Sequence, residues 1–304
     1  MSIFVSIACL LDNDIVNTID NCLKQAYNKN KITIGVCYQK DEEDVLEPLE
    51  KKYKNLKVVR VYWKDAQGPM YARNKILSLI TSEDYFLQID CHTRFFKHWD
   101  RKLLDEYQLC LKQSDKPVIS YYPININNME KPEHLANIYH IGIFREVSIN
   151  GLKTGGKRVN VPKVPLKGIG ISAAMLFMPA KVVLENPIDP NLPFALHSGE
   201  QLLYAIRLWT RGYDFFTPTQ HIIATEYITN KDRIDVKYRH YLNGQSGKHH
   251  AEVWKKVKYL LELGTYDGKI DDVWKAGKVR TVREYYDMTN IYDKLKALFP
   301  DLRC

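Results

Sequence analysis

The chain has 304 residues, 45% hydrophobic and 26% charged, which suffices for one large α/β domain or two small ones. Its net charge of +8 favours phosphates, nucleotides or acidic partners, but that charge is spread along the chain with no zinc-finger or single-strand RNA motif, which argues against nucleic acid as the partner. No apolar run approaches the roughly 18 residues of a membrane span, and six cysteines without a C-x-x-C pair fit a reduced, cytosolic setting.

Ile3 to Leu11 is apolar, short and not preceded by a basic residue, so it reads as a buried first strand and not as a signal peptide. After the polar turn at Asp12, Ile15, Ile19, Cys22 and Leu23 recur at helical spacing. Lys31 to Tyr38 is a second strand, Asp41 to Tyr53 a charged helix and Val58 to Trp63 a third strand. This alternation predicts an α/β fold with a mostly parallel sheet. Gly68-Pro69 opens a helix to about Ile80, with Pro placed where its missing N–H costs nothing. Arg73 lies in its first turns, either as a surface arginine or aimed at the edge where the next strand ends.

That next strand is the centre of the chemistry. The stretch YFLQIDCHTRF runs from Tyr85 to Phe95, and its apolar part ends at Asp90. Asp90 and His92 are two apart, so a persisting strand sends both side chains to one side. Open α/β sheets bind ligands at this carboxyl edge. A carboxylate with an imidazole suits Mn²⁺, Zn²⁺ or Fe²⁺, whereas Mg²⁺ prefers more oxygen. The same pattern also describes a strand followed by a plain polar turn.

Further along, Phe96 to Leu111 reads as a helix, and Val118 to Tyr122 and Tyr139 to Val147 as strands around the polar loop Asn125 to Glu130. Gly151 to Gly170 is rich in Gly and Pro, carries five Lys or Arg residues and no acid, and reads as a mobile basic loop. It would either cover a phosphate-bearing ligand or simply be solvated. Ile169 to Met178 is an apolar strand, and Pro187, Pro190 and Pro193 mark a turn region. In HSGEQ, Ser198 and Gln201 have capping-box spacing. The helix they open carries the stripe Leu202, Leu203, Ile206 and Trp209 and stops at Gly212. Glu200 falls in its first turn, where the helix dipole favours a carboxylate; it either supports the helix or acts in catalysis. Phe215 to Thr217 and Ile222 to Tyr227 continue as strand or loop. Beyond Thr229 the pattern becomes helical at Tyr238 to Asn243, Glu252 to Leu263 and Arg280 to Tyr286. The division expected is 1–228 as the main domain and 229–304 as a helical extension packed on it.

With these stretches in view, the chain resembles the cytoplasmic N-acetylglucosaminyltransferases that modify hydroxyproline on an adaptor subunit of SCF ubiquitin ligases, with their bacterial and viral relatives. Five stretches carry the likeness, in order: IFVSIACLLDNDIVNTIDNCL (3 to 23), GPMYARNKI (68 to 76), DYFLQIDCHTRFFKHWD (84 to 100), PIDPNLPFALHSGEQLLYAIRLWTRGYDFFTPT (187 to 219) and KAGKVRTVREYYDMTNI (275 to 291). The resemblance implies a GT-A fold and transfer of a sugar from a UDP-sugar, UDP-GlcNAc first among them, to a hydroxyl of a protein or glycan, with retention. It implies that D-x-H replaces the usual D-x-D, so that Asp90 and His92 hold Mn²⁺ (or Mg²⁺) bridging the UDP phosphates. Ser6, Ala8 and Asp12 would border the uridine, Arg73 the nucleotide, and Arg94 a phosphate or the metal site. Asp90 and Glu200 would be the catalytic carboxylates. Two positions depart from the family pattern. Gln201 stands for the second acid of G-E-E, and Thr225 stands where relatives place a histidine, with Glu226 or His221 as its substitutes. The other class these departures suggest is a degenerate domain that binds a nucleotide sugar or protein partner without turnover.

Overall fold

The computed structural model describes residues 1–304 apart from 43, 195–198 and 228–235; for 236, 237 and 239–242 it describes the backbone alone. The amino-terminal part alternates as the sequence pattern requires: β1 (Ile3–Leu10), α1 (Ile15–Gln25), β2 (Ile32–Lys40), α2 (Glu47–Lys52), β3 (Leu56–Tyr62), α3 (Pro69–Leu77), β4 (Tyr85–Asp90), β5 (Thr93–Phe95) and α4 (Trp99–Leu111). Next come β6 (Pro117–Ser120), β7 (Ile124–Asn125), α5 (Pro132–Leu135), β8 (Asn137–Ser148), β9 (Gly151–Asn160), β10 (Leu166–Gly168), β11 (Met175–Pro179), α6 (Ala180–Glu185) and α7 (Glu200–Thr210). The chain ends with β12 (Asp214–Thr217), β13 (Ile223–Thr225), α8 (Val236–Leu260), α9 (Val282–Met288) and α10 (Tyr292–Leu298).

Eight strands form the central sheet in the order β10-β12-β6-β11-β4-β1-β2-β3. β1 pairs in parallel with β2 and β4, β2 with β3, and β12 with β6, whereas β11 runs antiparallel between β4 and β6 and β10 antiparallel beside β12. The result is the mixed but mostly parallel α/β sheet of a GT-A fold. Strand alternation splits the core into two layers. Ile3, Val5 and Ile7 of β1 and Leu87 and Ile89 of β4 face α1 and α4, with Ile15, Ile19, Trp99 and Leu103. Phe4 and Phe86 face the other way, toward Ala72 and Ile76 of α3 and Leu202 and Ile206 of α7. The carboxy-terminal helices join this second layer through Val257, Leu261, Tyr285, Tyr286 and Leu295. Tyr286 donates its hydroxyl to the Leu261 carbonyl at 2.7 Å, and Arg280 pairs with Asp214 at 2.9 Å.

Four expectations change. The apolar stretch from Ile169 is strand only over Met175–Pro179, because the chain turns tightly between Ser172 and Met175 just before it. The charged stretch after Asp41 is helical only over Glu47–Lys52, where Leu49 is the helix's one buried residue and too little apolar surface holds a longer helix down. The segments around Tyr238 and Glu252 form one helix, α8, not two. The largest change is at Gly151 to Gly170, which is not a loop. Its first half is β9, paired antiparallel with β8 from Ser148↔Gly151 to Asn137↔Asn160. The Asn150-Gly151 dipeptide, a turn signal, lies at the bend. Its glycines serve close approach: a Cβ on Gly156 would stand 2.9 Å from the Tyr122 ring. All six cysteines are free thiols. No helix among the described residues is long and apolar enough to cross a membrane.

Candidate functional site

The site lies at the carboxyl ends of β1 and β4. Ala8 sits directly beside Asp90 in the sheet register. Asp90 is the last residue of β4 and points, with Phe86 and Gln88, toward the layer that holds α3 and α7. From α3, the Arg73 guanidinium approaches the Asp90 carboxylate to 3.9 Å. From α7, Glu200 is buried at the helix's first position, behind Gly199, whose φ of 90° favours a residue without a side chain. Burial pulls the Arg73 guanidinium below its ordinary value, and the carboxylates of Asp90 and Glu200 push it back up. A buried cation therefore stands between the two acids singled out from sequence, and its Nε has no hydrogen-bond partner.

His92 turns elsewhere. β4 stops at Asp90 and the chain bends at Cys91 and His92, so the two-residue strand period no longer applies. His92 Nδ1 lies 3.1 Å from Asp12 Oδ2 and 3.5 Å from Cys91 Sγ. The ligand atoms of Asp12, Cys91 and His92 lie within 4.8 Å of one another, and Asp90 is outside that group. The partner of His92 is thus Asp12, and the same-side Asp90–His92 pairing expected from the strand period is not what the fold shows. Burial alone would lower the imidazole pKa, but hydrogen bonds to Asp12 and Cys91, with the Asp90 charge, outweigh it and hold it at about 10. The Cys91 thiol is pushed well above its ordinary value, first by Cys9 and then by burial. It stays protonated and is a poor ligand, since the thiolate is the binding form. The remaining donors of the group, the Asp12 carboxylate and the His92 imidazole, with the Asp90 carboxylate at the end of the same strand, are of the types that suit a divalent cation such as Mn²⁺.

The other sequence-derived residues are placed as follows. Ser6 lies in the middle of β1, is wholly buried and has no partner for its hydroxyl, so it offers nothing to a ligand at the sheet edge. Arg94 forks onto Asp14 at 2.7 and 3.0 Å, so its side chain anchors the start of α1 and does not face Asp90. Thr225 is opposite Thr93 in the β5–β13 ladder, and the Glu226 N–H donates to the His92 carbonyl at 3.1 Å. Glu226 is therefore next to His92. His221 is not, because it precedes β13 and its ring turns to other partners. It is buried against Phe96 and Tyr121, with Nε2 on the Asn137 carbonyl at 2.9 Å. Gln201 does not cap its helix: Gly199 is the cap residue, and Gln201 Oε1 accepts from the Ala173 N–H at 3.0 Å. His197 and Ser198 lie outside the described residues.

Sequence reasoning missed one large feature. The β8–β9 hairpin walls a cleft of about 740 Å³ that opens beside Glu200. Tyr122, Tyr139, Tyr227, Asn125 and Arg145 line it. The hairpin was legible in Asn150-Gly151 following a strand pattern, but the basic composition of the next stretch hid it.

The sequence profile of the family described as Glycosyltransferase (GlcNAc) matches residues 2–52 and 47–294. No curated protein sequence matches the chain. Among solved structures, GalNAc-T7 with UDP, GalNAc and Mn²⁺ superposes with a TM-score of 0.63 at 13% identity, covering 99% of this chain and 58% of that one. This chain therefore spans little more than half of that structure's length. S. aureus TarS 1-349 in complex with UDP-GlcNAc superposes with a TM-score of 0.52 at 13% identity, covering 98% of this chain and 84% of that one. Mannosyltransferase PcManGT from Pyrobaculum calidifontis, in complex with GDP-Man and Mn²⁺, gives 0.50 at 11% identity, covering 99% and 72%. At these identities the likeness is one of fold.

Proposed function

The chain belongs to the Glycosyltransferase (GlcNAc) family, and from that premise we propose that it is a metal-dependent transferase moving GlcNAc from UDP-GlcNAc to a hydroxyl of a glycan or of a protein, hydroxyproline included, with retention. The observation that carries the reading is the meeting of Asp90, Arg73 and Glu200 at the sheet edge, with His92 at the same strand end. UDP, UDP-GlcNAc and Mn²⁺ accompany the structural neighbours that share the fold. The catalytic unit in this reading is 1–228, with 229–304 as a helical extension.

In this reading Asp90 and His92 would hold Mn²⁺. The Asp12 carboxylate takes His92 Nδ1–H and so fixes which imidazole nitrogen is offered. A cation held there would supply Lewis-acid stabilisation of the departing diphosphate. Arg73 adds a second positive charge from within the protein, already oriented and shielded from water, so it stabilises developing negative charge without reorganising. Ala8 and Asp12 border the nucleoside. Glu200 orients the incoming hydroxyl, and with retention the leaving phosphate takes its proton, so positioning replaces a strong protein base.

The test is UDP release from a panel of UDP-sugars with Mn²⁺ and again with chelator. Metal-dependent release from UDP-GlcNAc supports the reading. UDP binding without release from any sugar, with and without acceptors, would identify instead a domain that binds a nucleotide sugar without turnover. Absence of UDP binding would remove the reading altogether.

A further inference from the structure

The cleft walled by the β8–β9 hairpin has a chemistry of its own. It opens on Glu200 from the β6–β7 side of Asp90, opposite the β1–β2 side where Asp12 stands. Its volume of about 740 Å³ falls within the ~300–1,000 Å³ of small-ligand pockets. Three tyrosines line it, and two of them are fixed by their hydroxyls. Tyr122 donates to the Thr154 carbonyl at 3.2 Å, and Tyr227 donates to the Pro123 carbonyl at 2.7 Å. Their rings are thereby held as surfaces. Asn125 and Asn128 add amides, and Gly156 exposes backbone. Ring faces stack on the C–H faces of a pyranose, while amides and backbone groups bond its hydroxyls.

The charges are unequal. Three charged side chains line the cleft: Glu200, Lys153 and Arg145. Lys153 is neutralised by Glu146 at 2.7 Å. Glu200 shares its field with Arg73. Arg145 is exposed and forms no ion pair among the described residues. A planar guanidinium at the wall of an aromatic cleft matches a carboxylate or phosphate in two-point geometry. We propose that this cleft is the acceptor site and that its acceptor is a saccharide carrying a negative charge, with Arg145 binding the charge and the tyrosines the rings. The assignment rests on the transferase reading for its role, and on the cleft alone for its ligand.

Two separate titrations test it by calorimetry on the full chain. UDP with Mn²⁺ reports on the transferase reading, whatever the cleft binds. Trigalacturonate, maltotriose carrying a 6-phosphate, neutral maltotriose and a hydroxyproline peptide, each without donor, report on the cleft. At least about tenfold tighter binding of a charged trisaccharide than of neutral maltotriose is expected. The better of the two charged probes separates carboxylate from phosphate. In Arg145→Ala that preference should collapse, and in Arg145→Lys part of it should return. Equal binding of charged and neutral sugars, a preference surviving in Arg145→Ala, or tighter binding of the peptide overturns the proposal.

Discussion

Asp12→Asn is the sharpest probe of the strand-end site, because it keeps the shape of the side chain and removes only its charge. In the native protein the His92–Asp12 contact is 3.1 Å, with the side chains 22% and 12% exposed. A charge-assisted bond of this kind is worth about 1.5–3 kcal/mol against about 0.5–1.5 for a neutral one. Losing the difference should lower the His92 pKa from about 10 by about one pH unit, at 1.36 kcal/mol per unit. The folded value is raised above the unfolded one of about 6.5. The pair therefore contributes its full stability below about pH 6.5 and loses it as pH rises through 10. Urea unfolding of the metal-free proteins should show Asp12→Asn destabilised by about 1–2 kcal/mol at pH 6, with the gap closing by pH 10.5. An NMR titration of the His92 ring reads the pKa directly. A stability difference that is the same at both pH values, or a His92 pKa unmoved by the substitution, would refute the argument that the Asp12 charge holds the imidazole protonated.

Other outcomes follow from the same geometry. Because His92 must shed a proton to act as a ligand, Mn²⁺ binding at pH 7.5 should release close to one proton, seen as buffer-dependent heats in calorimetry. Asp90→Ala should abolish metal-dependent UDP release while circular dichroism stays native; wild-type release in that variant would remove the central claim. Glu200→Gln should lower kcat on the order of 10²-fold through misplacement of the hydroxyl, with UDP affinity unchanged by calorimetry. Tyr286→Phe, which strips the Leu261 carbonyl of its 2.7 Å donor, should cost about 1–3 kcal/mol.

The sequence by itself determined the alternating sheet, since apolar runs such as Ile3 to Leu10 and Tyr85 to Ile89 have no other way to bury two faces. It also located Asp90, Arg73 and Glu200, because Asp90 ends a strand, Glu200 opens a helix and Arg73 lies in the first turns of the helix that Gly68-Pro69 opens. Side-chain pairing across elements was beyond it. Asp12 and His92 are 80 positions apart, and only the parallel register of β1 and β4 brings them together, while the bend after Asp90 decides which way the imidazole turns. Arg94 looked like a phosphate ligand until the fold placed Asp14 within reach of its fork. The stretch after Gly151 read as a loop because glycine and lysine have weak strand preferences; pairing with β8 overrides them. That pairing makes the cleft beside Glu200, so the tertiary structure decides which acceptor chemistry the site can meet.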